Sequence, residues 1–161
     1  MPRRYKLSQN CYPQLLPLIL LLTLLPGCND SNGLSPETYE QAWSLWQSQE
    51  LKHYQFDYGH LCYCAPRLLQ ATVKVKGDTV YAFENPRGDG ELLSEQELDS
   101  RGINLRSFQS IEELFEIIRL AEEDGTLTYV VYHPEIGYPE TTSIDWGEVD
   151  AYYASEVTSL E

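Results

Sequence analysis

Cys62 and Cys64 are the residues best suited to chemistry, and His60 precedes them at the same two-residue spacing. Two thiols one residue apart admit three chemistries. In an oxidising compartment the simplest is a disulfide between them. Regular strand geometry sets residues i and i+2 about 6.6 Å apart on one face, whereas bridged Cβ atoms sit about 3.8 Å apart. A Cys62–Cys64 bridge therefore requires a bend at Tyr63, and Ala65-Pro66 is a natural exit from the sheet. So small a ring removes little chain entropy, about 1.6 kcal/mol by the loop formula, and acts as a local pin. The second chemistry is thiol–disulfide exchange, although the pair lacks the C-x-x-C at a helix start that lowers a thiol pKa. The third is soft-metal binding. His60, Cys62 and Cys64 alternate on one face of an extended strand and would suit copper(I) or zinc, with no fourth ligand nearby in sequence. The disulfide is the reading adopted, with no metal ligand and no cofactor assigned.

Cys28 carries a different chemistry. It follows Arg3, Arg4 and Lys6 and the apolar run Leu15–Leu25, and it closes the tetrapeptide Leu25-Pro26-Gly27-Cys28. A basic start, a short apolar core and a small residue before the cut describe a secretory signal. The core is short of the roughly 20 apolar residues a membrane span needs. The tetrapeptide resembles the bacterial lipobox, whose cysteine is acylated and becomes the new N-terminus. One acyl chain holds a membrane only marginally, at about 0.8 kcal/mol per methylene, so two or three chains make the anchor permanent. Asn29 rather than an aspartate follows Cys28. The expectation is a mature chain starting at Cys28, anchored by lipid in the cell envelope, at the outer membrane facing the periplasm. Cys11 leaves with the signal, which leaves Cys62 and Cys64 to pair with each other.

Other constellations resolve to ordinary structure. There is no G-x-S-x-G around any serine, and no catalytic residue is assigned. Glu122-Glu123-Asp124 lacks the spacing of a calcium loop and reads as a solvated helix end. Arg87-Gly88-Asp89 is an adhesion tripeptide short enough to arise by chance in a polar loop, and Gly137-Tyr138-Pro139 reads as a turn with a packed ring. Loss of residues 1–27 removes three positive charges and no negative ones, lowering the net charge from −14 to −17. That balance argues against nucleic acid and against an electrostatic grip on anionic lipid. It is compatible with a cationic partner.

The elements that must position these residues follow from periodicity. Residues 1–27 are the signal, 28–34 a polar tether, and 35–161 one domain. Ser35 as N-cap with Pro36 at the first helical position opens a helix whose stripe is Tyr39, Ala42, Trp43 and Trp46. Tyr54, Phe56 and Tyr58 alternate with Gln55 and Asp57 in a half-buried strand running to Cys62. Val73 and Val75, then Val80 and Ala82, flank Gly77-Asp78 as a hairpin, with Val75 opposite Val80 and Val73 opposite Ala82. Residues 84–109 show no sustained period and are long for a loop, so they are expected to be either partly helical near Ser94–Leu98 or a functional excursion. Ser110-x-x-Glu113 is a capping box opening a helix with Ile111, Leu114, Phe115, Ile118 and Ala121 inward, closed by Gly125. Strands at Leu127–His133, Thr141–Trp146 and Ala151–Val157 complete the order αβββ-loop-αβββ. This is an α+β antiparallel sheet with helices on one face, and the repeat suggests a duplication.

These marks together resemble a domain-of-unknown-function family of bacterial secreted proteins and lipoproteins. They are the aromatic strand Tyr54–Tyr58, Cys62-Tyr63-Cys64, the hairpin Val73–Val80, Ile111–Phe115, Tyr132–Pro139 with Gly137-Tyr138-Pro139, and Ile144-Asp145. The resemblance covers the mature domain and implies a cell-envelope protein without implying an activity. The expected role is a non-enzymatic binding or assembly module, held to the membrane through the lipid on Cys28 and meeting an envelope protein partner. The alternative is a thiol-redox or metal-handling protein using Cys62 and Cys64.

Overall fold

A computed structural model of the chain describes residues 35–62, 68–88, 90–147 and 152–161. The expected signal, Cys28 and the tether lie outside the described residues, as do Cys64 and the side chain of Cys62. Strand β1 (His53–Cys62) shows why a sheet forms. Tyr54, Phe56 and Tyr58 are buried while Asp57 faces solvent, so the pleat separates an apolar face from a polar one. Opposite them on β2 (Leu68–Lys76) stand Val75, Val73 and Ala71, also buried.

Among the described residues the sheet has seven strands, all paired antiparallel. β3 (Thr79–Gly88) and β4 (Glu91–Leu92) continue outward from β2. On the other side of β1 lie β7 (Tyr152–Thr158), β6 (Pro139–Asp145) and β5 (Leu127–Tyr132), in that order. The β1–β7 pair joins the two meanders, with Tyr58 opposite Val157 and His60 opposite Ser155. The expected α+β class and antiparallel sheet are thus present.

The β2–β3 hairpin turns at Gly77, whose φ of 63° suits the first central position of a tight turn. Val75 faces Val80 as expected, but Val73 faces Phe83, not Ala82. A bulge at Tyr81 inserts one residue, which turns Ala82 to the far face beside Lys74 and returns Phe83 to the core.

Helix α1 (Tyr39–Ser48) starts later than the Ser35-Pro36 pattern suggests. Thr38 is the N-cap, its side chain accepting from the Gln41 amide at 3.3 Å, and the Gln41 side chain turns back to accept from Glu37 N–H. Ala42 and Trp46 are buried, whereas Trp43 is only half-buried against the core. Residues 84–109 contain the helix expected near Ser94–Leu98, but the rest is more regular than the loop expected. β3 runs on to Gly88, and helix α2 (Glu95–Arg101) follows a Ser94 capping box and closes on Gly102. A 3-10 turn at Leu105–Ser107 leads into α3.

Helix α3 (Ile111–Asp124) has the expected Ser110–Glu113 capping box and a left-handed Gly125 cap. Its five buried residues are Ile111, Leu114, Phe115, Ile118 and Ala121, the stripe read from the sequence. Phe115 sits among Tyr39, Trp43 and Tyr132 at ring-centroid distances of 5.6, 4.9 and 6.0 Å. Burying such a ring is worth about 1.5–3 kcal/mol. The turn between β5 and β6 comes against α1, where Gly137 meets the Ala42 carbonyl.

Candidate functional site

Two polar networks hold the core side of the sheet. At the start of α3, Glu112 accepts from Trp46 Nε1 at 3.0 Å and from the Tyr54 hydroxyl at 2.5 Å, and Tyr54 accepts in turn from Ile111 N–H at 3.1 Å. Burial and the neighbouring Glu112 keep the Tyr54 hydroxyl protonated well above its ordinary range. Further along β1, the Tyr58 hydroxyl donates to Gln109 Oε1 and lies 3.0 Å from the Tyr153 hydroxyl. Burial raises both phenols, so each is a neutral hydrogen-bonding group and neither is a base.

His60 packs beside this second network without a hydrogen bond to it among the described residues. Its ring lies 5.7 Å from Tyr58 and 6.4 Å from Tyr153, stacked on the latter. Burial lowers its pKa and keeps it neutral. Its Nδ1 is buried and has no hydrogen-bond partner among the described residues. The main chain of Cys62 pairs with Tyr153. The Cys62–Cys64 pairing and the acylation of Cys28 concern groups outside the described residues.

The opposite face of the sheet carries groups of another kind. Reading the register across four strands, Glu156, Gly59, Gln70 and Arg87 form one row, and Thr158, Asp57, Thr72 and Glu84 form the next. Thr72 Oγ1 donates to Asp57 Oδ1 at 2.7 Å, and Lys74 Nζ meets Glu84 Oε1 at 2.5 Å. Gly59 leaves the middle of the first row without a side chain, and a cleft of about 340 Å³ opens there. A second bulge shapes its far wall: two residues of β3 face Ala71, with Asn85 at φ 49° and Pro86 turned inward. The bulge aims Arg87 into a cleft that also holds Asp57 and Glu156. Such a surface can bind a ligand through both signs of charge.

Beside the cleft the same face becomes apolar. Tyr129, Ser143, Ala154 and Leu61 align across β5, β6, β7 and β1, and Val131 stands next to Thr141. Leu61, Tyr129 and Val131 are 45%, 49% and 47% exposed; Tyr129 and Val131 stand two residues apart on β5, and Leu61 lies three strands away on β1, across Ser143 and Ala154. Sequence reasoning singled out Arg87 only as part of a tripeptide and did not reach Glu156 or Gln70. The available signal was the polar half of each alternation. Gln55 and Asp57 declare a solvent face on β1, but the partners of that face depend on pairings between strands remote in sequence.

Neither the curated proteins nor the solved structures include a match to this chain. A family model described as a family of unknown function, DUF6174, matches residues 38–156. That span runs from the N-cap of α1 into the last strand, and the chain belongs to this family.

Proposed function

We propose that this chain is a non-enzymatic binding or assembly module of the bacterial cell envelope, anchored by lipid on Cys28. The observation that carries the reading is the uncovered sheet face, where the Asp57, Arg87 and Glu156 cleft adjoins exposed Leu61, Tyr129 and Val131. Large apolar side chains left exposed beside a cleft of mixed charge support an interaction surface. The lipobox-like Leu25-Pro26-Gly27-Cys28 supports a lipid anchor, and Asn29 in place of an aspartate after it supports the outer membrane, on its periplasmic side. In this reading Cys62 and Cys64 form a disulfide that pins the end of β1. The runs α1-β1-β2-β3 and α3-β5-β6-β7 are two halves of a duplicated unit, with the helices on one face of the sheet. Their like order and like meanders support that reading.

Cross-linking in intact cells, followed by capture from detergent-solubilised envelopes, tests the proposal. A specific protein partner should be retained by Cys62→Ala/Cys64→Ala and lost by Leu61→Asp, while Cys28→Ser should abolish lipid modification. Protein that comes without a partner but with copper bound, or that stays lipidated as Cys28→Ser, would overturn it.

A further inference from the structure

Gly59 stands in the middle of β1, where a glycine weakens a strand. Such a glycine commonly marks a bulge, a tight bend, or the close approach of another backbone or of a ligand. The pairing of β1 with β2 and with β7 runs past Gly59 without a shift, which removes the bulge and the bend. Gly59 does not use the left-handed region, and a Cβ built there meets nothing closer than Gln70 Cγ at 3.6 Å, an ordinary contact. No neighbouring backbone needs the space, so a ligand is the reason that remains. The missing side chain would stand in the cleft of about 340 Å³ on the uncovered sheet face.

Two irregularities of β3 converge on the same cleft. Asn85 holds φ 49°, and the bulge beside it turns Arg87 onto this face. Bulges and strained residues gather where a side chain must be re-aimed for function. The charges they bring together do not neutralise one another. Lys74 is taken by Glu84 at 2.5 Å, whereas no ion pair among the described residues joins Arg87 to Asp57 or Glu156. Thr72 Oγ1 holds Asp57 by a bond of 2.7 Å.

The cleft therefore has an acidic end and a basic end. Asp57 and Glu156 stand beside Gly59 on β1 and β7, and Arg87 stands on β3, two strands beyond β1. Two strand spacings are about 9.6 Å. A peptide of two or three residues spans about 7–10 Å and carries an ammonium at one end and a carboxylate at the other. A phosphate would meet two carboxylates for one guanidinium. Tyr58 turns its ring to the core, so the described lining offers a sugar no aromatic face.

We propose that the Gly59 cleft binds a peptide of two or three residues as its zwitterion. The α-ammonium sits at Asp57 and Glu156, the terminal carboxylate at Arg87, and the peptide backbone passes over the bare Cα of Gly59. The proposal rests on the binding-module reading and names the chemistry of a ligand for the charged half of that face.

Titration calorimetry of the full-length chain in detergent tests it, with dialanine and trialanine beside their N-acetylated and C-amidated forms. A free peptide should bind, and each capped form should bind at least about tenfold more weakly. Arg87→Gln should erase the preference for a free carboxylate, and Asp57→Asn/Glu156→Gln the preference for a free ammonium. Gly59→Val should abolish binding while leaving the urea midpoint unchanged or higher, because a strand interior favours valine. A merely structural glycine would instead lower the midpoint, and if that variant does not fold, Arg87→Gln decides. No binding of either free peptide, equal binding of free and capped forms, or binding indifferent to Arg87→Gln would each overturn the proposal. If an envelope partner is captured and lost by Leu61→Asp while neither free peptide binds, this site falls and the binding-module reading stands.

Discussion

Gly137 shows how much one residue can hold. It adopts φ 89°, and a Cβ built there would lie 2.5 Å from the Ala42 carbonyl oxygen and 3.0 Å from both Leu45 Cβ and Trp46 N. Gly125 is the useful contrast, with φ 70° and nothing within 4 Å of a built Cβ. An L-residue in the left-handed region costs about 1–2 kcal/mol, and Gly125→Ala should lose about that. Gly137→Ala adds a clash with helix backbone, which cannot move aside as a flexible side chain can, and should lose about 3 kcal/mol or more. Paired urea midpoints decide it, and equal losses would mean that close approach to α1 is not what Gly137 provides. The sequence reveals Gly137-Tyr138-Pro139 as a turn with a packed ring, and Tyr138 is indeed buried and stacked on His133. It does not reveal α1 at the other side of that turn, because the contact joins segments roughly ninety residues apart and no local pattern encodes it.

At the scale of elements, local signals were legible where chemistry is local. Ser110 and Glu113 bond each other's main chain within one turn, so the box that starts α3 can be read directly. The start of α1 was missed for the same kind of reason: Ser35-Pro36 and Thr38-x-x-Gln41 are both local start signals, and the structure uses the second. The two bulges of β3 were out of reach, since a bulge is defined against a partner strand. Caps alone do not confer persistence, which separates α2 from α3. Both have capping boxes and left-handed glycine closures, but α2 buries none of its seven residues whereas α3 buries five. Most helical stability in a protein comes from the packed face, so opening α2 should cost far less. In hydrogen exchange, amides of 111–121 should stay protected close to the global unfolding limit, while those of 95–101 should exchange much sooner. Equal protection would mean that α2 is held by contacts its exposure does not suggest.

At the scale of the whole molecule, opposing effects of pH can be separated at His60. Acidification reduces the self-repulsion of a chain with 25 acidic and 11 basic residues, which favours the folded state. His60 acts in the other direction. Burial places its folded pKa below the ordinary 6.5, so as pH drops through that value the unfolded chain takes up a proton that the folded chain refuses. Its contribution is therefore fully present above about pH 6.5 and lost progressively as pH falls toward the folded value. Glu97 and Glu116, lowered by bonds to Ser94 and Arg119, behave alike in sign but act below their ordinary 4.5. Glu122, raised mainly by burial, opposes them, its contribution being lost as pH rises through its folded value. We expect His60→Leu, which keeps an apolar body between Tyr58 and Tyr153, to gain stability relative to the parent as pH is lowered from about 7 to about 5.5. Subtracting the two urea-midpoint profiles cancels the shared charge effect and leaves the histidine. Parallel profiles would show that His60 is hydrated well enough to titrate normally, and the neutral Tyr58–His60–Tyr153 stack on the core side of β1 would have to be abandoned.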